Sequence, residues 1–240
     1  MPKPDIYDPA YVKGVFDRCS GKYIAFSYVC SLGFTERWRK QCVAALGLES
    51  TGRFSGYDLM AGTGEAWPHL IEQYAHIDRI IAVDISSGMH QRAMDRLHQM
   101  RAHKIDFVED DVLASKLATG SADFIISTFG LKTFNPTQHE QLAQLVANTL
   151  RSGGKFSFIE ASDPNGWWLR PLYLFHLKAV LPLVERLFLR GAKDFSMIGQ
   201  YSTNFGNASD FAEMLRRQGL KAEFRKYFFG CATGVVGSKP

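Results

Sequence analysis

The sequence predicts a doubly wound α/β fold, and three observations predict it. Short apolar runs alternate with helix-length segments from residue 54 to residue 160. Those runs stay apolar through their centres, as strands covered on both faces do. A Gly-rich turn, Ala61-Gly62-Thr63-Gly64, joins the first run to the first helix. Such a pattern implies right-handed βαβ units in a mostly parallel sheet.

The elements follow in order. Phe54–Met60 reads as the first strand and Glu65–Tyr74 as the helix after the turn. Arg79–Asp84 is a buried strand. Ser86 caps a helix over Ser87–Met100, with Met89, Ala93 and Leu97 on one face. Ile105–Glu109 is a short third strand and Ala122–Ser127 a fourth. Pro136 lies just before a helix, His139–Leu150, which Ser152-Gly153-Gly154 ends. Lys155–Glu160 is the fifth strand. Ala222–Phe229 and Cys231–Gly237 are separated only by Gly230. A parallel crossover needs a dozen or more residues, so the last strand is expected to be antiparallel and at the sheet edge.

Four segments result: an N-terminal helical cover (1–50), a ligand-binding core (51–160), a helical insert or lid (161–207), and a C-terminal helix with antiparallel strands completing the core (208–240). The insert carries Trp167, Trp168, Tyr173, Phe175 and Phe188. Leu172, Phe175, Ala179, Leu183 and Leu187 form one helical face, with Pro182 kinking it.

Composition narrows the function classes. With 240 residues, 46% of them hydrophobic, the chain buries one sizeable core. Lys+Arg 28 against Asp+Glu 24 gives a net charge of +4, with no dense basic cluster, which argues against nucleic-acid binding. Cys19, Cys30, Cys42 and Cys231 show neither CxxC nor zinc spacing, so no metal is expected, and thiols in a reducing compartment are. No signal-peptide core follows the N-terminus and no run of about 18 uncharged apolar residues occurs. The expected location is cytoplasmic. Arg170, Lys178, Arg186 and Arg190 allow only a weak membrane-surface contact through the insert. Oligomeric state is not legible.

The chemistry concentrates at successive strand ends. Asp58-Leu59-Met60-Ala61-Gly62-Thr63-Gly64-Glu65 lets the backbone approach a ligand, but it lacks the G-x-G-x-x-G of dinucleotide enzymes. Its carboxylate, Asp58, serves a cationic ligand better than a pyrophosphate. Asp84 stands 20 residues after Gly64, where a carboxylate holds a ribose diol in nucleotide-binding α/β folds. Glu109-Asp110-Asp111-Val112 ends the third strand, offering an acceptor for an exocyclic amine and an apolar face for its ring. Thr128 and Phe129 follow the fourth strand. Carboxyl ends of parallel strands converge on one crevice. The ligand described is a nucleoside with a positive charge and no phosphate, which S-adenosyl-L-methionine fits.

On these residues the chain resembles class I S-adenosylmethionine-dependent methyltransferases, and more closely the ubiquinone/menaquinone biosynthesis C-methyltransferase family. Asp58–Glu65 is like the family's D-L-x-G-G-T-G-D, and Phe129-Gly130-Leu131 like F-G-[IL]-R-N. Tyr23, Ser31-Leu32-Gly33, Arg37-Trp38-Arg39, Leu169–Tyr173 and Gly230–Pro240 are similar to other parts of it. The resemblance implies a Rossmann-like methyltransferase fold with a seven-stranded sheet. It also implies cofactor contacts at Asp58, Ala61, Gly62, Thr63, Gly64, Asp84, Ile85, Met89, Asp111, Val112, Thr128 and Phe129. Ile24, Ser27, Ala61, Lys132 and Thr133 depart from its pattern, so the acceptor side differs while the cofactor side is kept.

Methyl transfer from a sulfonium is an in-line displacement, and a phenol, enol or amine acceptor must also lose a proton. Lys132 stands where the family has arginine and is the candidate to hold an oxyanion. His176 and Tyr201 are the other catalytic candidates; Asn204 and Tyr28 are weaker ones, and for each a packing or surface role competes. The expected acceptor is a small, apolar aromatic, phenolic or quinone-like molecule. Two other readings stay open: a protein of this fold that binds the cofactor or uses it without methyl transfer, and a nicotinamide-dependent oxidoreductase.

Overall fold

The computed structural model describes residues 5–49, 52–100, 104–180, 183 and 195–240. Among the described residues there are seven strands: β1 (Phe54–Leu59), β2 (Ile77–Asp84), β3 (Ile105–Glu109), β4 (Ala122–Thr128), β5 (Leu150–Ala161), β6 (Lys221–Tyr227) and β7 (Ala232–Ser238). They form one sheet in the order β3-β2-β1-β4-β5-β7-β6. The first five are parallel to one another, and β7 is antiparallel to both β5 and β6.

The expected antiparallel last strand is there, but it is not at the edge. Strand β7 lies between β5 and β6, and β6 is the outer strand. Burial explains the exchange. From Ala232 to Val236 every β7 residue is buried, whereas β6 alternates between exposed and partly buried positions. The largely apolar, buried strand takes the inner place and the charged one faces solvent.

Nine helices surround the sheet among the described residues: α1 (Pro9–Cys19), α2 (Tyr23–Cys30), α3 (Phe34–Ala45), α4 (Trp67–Gln73), α5 (Ser87–Met100), α6 (Pro136–Thr149), α7 (Arg170–Phe175), α8 (Phe195–Phe205) and α9 (Ser209–Arg217). Helix α5 has the expected bounds, and Ser86 Oγ accepts the Met89 N–H at 3.1 Å as its cap. Helix α6 starts three residues earlier than expected. Pro136 is its first residue, and Asn135 and Gln138 form a capping box. It also stops earlier, because Leu150 already pairs with Ala122 as the start of β5. Ser152-Gly153-Gly154 is therefore strand, with Gly153 at φ 79°. Helix α4 starts after the Gly-rich turn, whose Gly62 and Gly64 have φ 58° and 74°.

Two buried clusters cover the two faces of the sheet. One joins α3, α4 and α5, through Val43, Leu70 and Ala93, to Ile80 and Phe124. The other joins α6 and α9, through Leu142 and Phe211, to Ile125, Phe156 and Val235. A smaller cluster around Val15, Cys19 and Phe26 ties the N-terminal helices to Leu177 and Ile198 of the insert. All four cysteines are thiols.

The insert departs from one long helix with a buried face. Helix α7 passes into a π-helical turn, His176–Val180, and Leu172 and Phe175 stay exposed. Pro182, Leu187, Phe188, Arg186 and Arg190 lie outside the described residues, as does the Lys178 side chain. No described helix is long and apolar enough to cross a membrane.

Candidate active site

The carboxyl ends of β1, β2, β3 and β4 open into one cleft. Nine of the twelve residues expected to hold the cofactor line it: Ala61, Gly62, Asp84, Ile85, Met89, Asp111, Val112, Thr128 and Phe129. Register accounts for this. Asp58 pairs with Ala82 and Ile126, and Asp84 pairs with Glu109, so the four strands end at one level.

The Gly-rich turn forms the floor. No atom lies within 4 Å of where a Cβ on Gly62 would stand, so bare backbone faces the cleft. At Gly64 a Cβ would meet the Trp67 ring at 2.4 Å, in a left-handed backbone that disfavours side chains in any case. The Gly62 N–H donates to Asp84 Oδ2 at 2.8 Å and the Ser86 N–H to Oδ1 at 2.9 Å, which orients this carboxylate across the cleft. Burial raises its pKa, against the pull of those two N–H groups.

Asp58, Thr63 and Gly64 do not line the cleft. Asp58 lies beneath the turn, only 1% exposed, and accepts the Trp67 indole N–H at 2.8 Å. Its Oδ1 has no partner among the described residues, and burial pushes its pKa up to about 7. Thr63 is fully buried; its hydroxyl donates to Glu65 and its carbonyl accepts from Arg96. These three residues shape the turn from below.

Several residues of the cleft are not legible in the sequence as ligand contacts. Tyr7, Pro9, Val12 and Phe16 roof it. The Asp8-Pro9 pair, a cap followed by proline, was the available signal for α1. Lys13 Nζ donates to the Ile85 carbonyl at 3.0 Å, and Asp17 accepts from the Ser86 hydroxyl and the Gly88 N–H, so the roof is tied to the loop after β2. Arg39, 5% exposed, pairs with Glu65 at 3.1 Å and lies over the Phe129 ring at 5.2 Å.

A second cavity of about 490 Å³ adjoins the first. Its wall is mainly apolar and comes from α2, α3, the insert and the Phe228–Gly230 turn. Tyr23 and Phe129 belong to both cavities. Phe129 holds this dividing place with φ 68°, its N–H donating to the Ile159 carbonyl at 2.8 Å. Phe34 and Phe228 pack with ring centroids 4.3 Å apart at the side, and Trp167 stacks on Phe229 at 5.3 Å.

The three catalytic candidates separate here. Lys132 and His176 line the apolar cavity. Lys132 is not an unmatched cation: its Nζ donates to Glu160 Oε1 at 2.8 Å and to the Phe129 carbonyl at 2.5 Å, and Glu160 is fully buried. No signal in the sequence pointed to Glu160. His176 Nε2 lies 2.9 Å from the Cys30 carbonyl. Tyr201 lines neither cavity. It is fully buried and its hydroxyl donates to the Ile6 carbonyl at 2.5 Å. Asn204 donates to the Tyr7 hydroxyl at 3.2 Å, so both residues of α8 hold the N-terminal segment in place. Tyr28 is 61% exposed and also lines neither.

Residues 5–239 match the model of the ubiE/COQ5 methyltransferase family. The demethylmenaquinone methyltransferase of Bacillus cereus is 22% identical over 230 residues, 95% of each chain. That of Lactiplantibacillus plantarum is 25% identical over the same shares. The methyltransferase complex of Haloferax volcanii with its Trm112 activator aligns at TM-score 0.66 and 15% identity, covering 94% of this chain and 97% of that one. The cleft suits the family's cofactor. Asp84 and Asp111 favour a cation-bearing ligand, the bare Gly62 backbone allows close approach, and Ile85, Met89 and Val112 offer apolar faces. The matched family and the fold agree on S-adenosyl-L-methionine as cofactor, and the chain belongs to the ubiE/COQ5 methyltransferase family.

Proposed function

We propose that this methyltransferase acts on a small apolar aromatic, phenolic or quinone-like acceptor bound in the second cavity. The observation that carries the reading is the shared wall: an apolar chamber of about 490 Å³ meets the acidic cleft at Tyr23 and Phe129. When bound, the cofactor supplies an electrophilic methyl group on a sulfonium.

The chain's own residues then have defined tasks. Asp84 accepts from the ribose hydroxyls, Asp111 and Val112 hold the base, and Thr128 and Phe129 border the reacting end. Tyr23 and Phe129 set the line of approach between the chambers. The apolar walls exclude water, which protects a reactive donor and positions the acceptor. His176, with Nε2–H given to the Cys30 carbonyl, keeps Nδ1 to take a proton from the acceptor. The relatives named demethylmenaquinone methyltransferases favour a quinol-type ring. The departures at Ile24, Ser27 and Lys132 favour an acceptor altered in its polar part. A cytoplasmic setting suits a chain in which no described helix would cross a membrane.

Calorimetry with S-adenosylmethionine and with NAD tests the cofactor side, and heat with the first alone is expected. Release of S-adenosylhomocysteine over a panel of alkylated phenols and demethylmenaquinone tests the acceptor side. Turnover with none of them, despite cofactor binding, would favour a protein that holds the cofactor for another purpose.

A further inference from the structure

We propose that the acceptor carries an uncharged polar head, and that Glu160 sets this preference by neutralising Lys132 in the wall of the apolar cavity. The inference deepens the acceptor reading above and rests on it. Among the described residues lining the cavity, Lys132 is the one side chain with a permanent charge. Read alone, it calls for an anion.

Its surroundings reverse that. An ammonium has three hydrogens. One goes to Glu160 Oε1 at 2.8 Å and one to the Phe129 carbonyl at 2.5 Å. Among the described residues no partner takes the third, which leaves it for a ligand. The same Glu160 carboxyl group also accepts the Lys132 backbone N–H at 3.0 Å and the Ala161 N–H at 2.8 Å. Side-chain exposure is 2% for Lys132 and 0% for Glu160, so water screens neither charge. The pair therefore offers one hydrogen-bond donor and no net charge. Arg39, a cation of the acidic cleft, is likewise matched by Glu65.

A carbonyl or phenol oxygen gains the remaining donor and brings no charge. A carboxylate head would lose its hydration in an apolar chamber and meet a cation already paired with an anion. Glu160 touches no ligand itself; it is a positioning residue that sets specificity through Lys132.

Two probes that differ by one carboxylate test this: 2-naphthol and 3-hydroxy-2-naphthoate. Each is titrated at pH 7.5 into the full chain saturated with S-adenosylhomocysteine. The wild type is expected to bind the naphthol about tenfold tighter or better. Glu160→Gln, which keeps the shape and removes the negative charge, is expected to move the ratio of affinities about tenfold toward the naphthoate. A merely structural role would weaken both probes alike and leave the ratio in place, and that result overturns the proposal. So does a wild type that binds both equally. Should the single variant not fold, Lys132→Met with Glu160→Gln leaves no charge. It should lose naphthol affinity several-fold yet still reject the naphthoate, and equal binding of the two overturns the proposal. If neither probe binds while the heat with S-adenosylmethionine persists, this inference fails and the methyltransferase reading stands. If that heat is absent too, both fail.

Discussion

The two chambers that meet at Tyr23 and Phe129 are built by opposite means. The acidic cleft is made of strand ends, loop backbone and short-range carboxylates, and sheet register sets its level. The apolar cavity is made of helix faces and one strained turn, contributed by residues as distant as Phe26 and Phe228. Charge is handled differently as well. The cleft keeps carboxylates facing its space, whereas the cavity matches its one described permanent charge with a buried partner. Backbone geometry fixes the cleft, whereas the cavity rests on side chains that can change without disturbing the sheet.

Four substitutions test this contrast. The largest effect is expected on the cavity side. Lys132→Ala leaves Glu160 charged and unpaired in the interior, which costs about 3–5 kcal/mol. Urea unfolding measures it, and Lys132→Met with Glu160→Gln should recover most of the loss. If Lys132→Ala unfolds like the wild type, the pair does not hold the wall.

On the cleft side, burial pushes the Asp58 carboxyl up to about 7. Between about pH 4 and pH 7 the folded chain then holds a proton that the unfolded chain has released. The stability this group contributes is full below about pH 4 and is lost as pH rises through about 7. Across that window the contribution of this one group should fall by about 1.4 kcal/mol for each step of one in pH. Asp58→Asn should remove this slope and unfold later than the wild type at about pH 8. Parallel pH profiles for the two proteins would contradict it.

Asp84→Ala is expected to weaken S-adenosylmethionine binding by about 1–3 kcal/mol, read by calorimetry, with a far smaller effect on the naphthol probe. Equal losses for both ligands would erase the division between the chambers. The smallest stability effect belongs to Phe228→Gly. Phe228 has φ 42°, so glycine relieves about 1–2 kcal/mol of backbone strain. The lost packing on Phe34 takes back about 0.5–1.5 kcal/mol. Thermal unfolding should move little while acceptor-probe affinity falls, since the side chain forms part of the cavity wall.

Periodicity, with the Ser86 cap and the one-residue connection at Gly230, made legible the strand–helix alternation, the bounds of α5 and β3, and the antiparallel last strand, because each depends on residues close in sequence. Asp84 and the Gly-rich turn were legible for the same reason. The place of β7 was not, since it depends on comparing burial of two hairpin strands against a third. The roof of Tyr7, Val12 and Phe16, and the bracing of that roof by Tyr201, link segments nearly 200 residues apart.

The sequence by itself determined the order of strands and helices and the row of carboxylates at the strand ends, because local hydrophobic pattern and turn chemistry specify both. Packing across the fold settles that Asp58 lies under the turn and not in the cleft, that Tyr201 is a brace, and that Lys132 reaches the apolar cavity already paired with Glu160. The physical reason is that charge and polarity act through space: a side chain's task is set by what is packed against it, and Glu160 comes to Lys132 from 28 residues away.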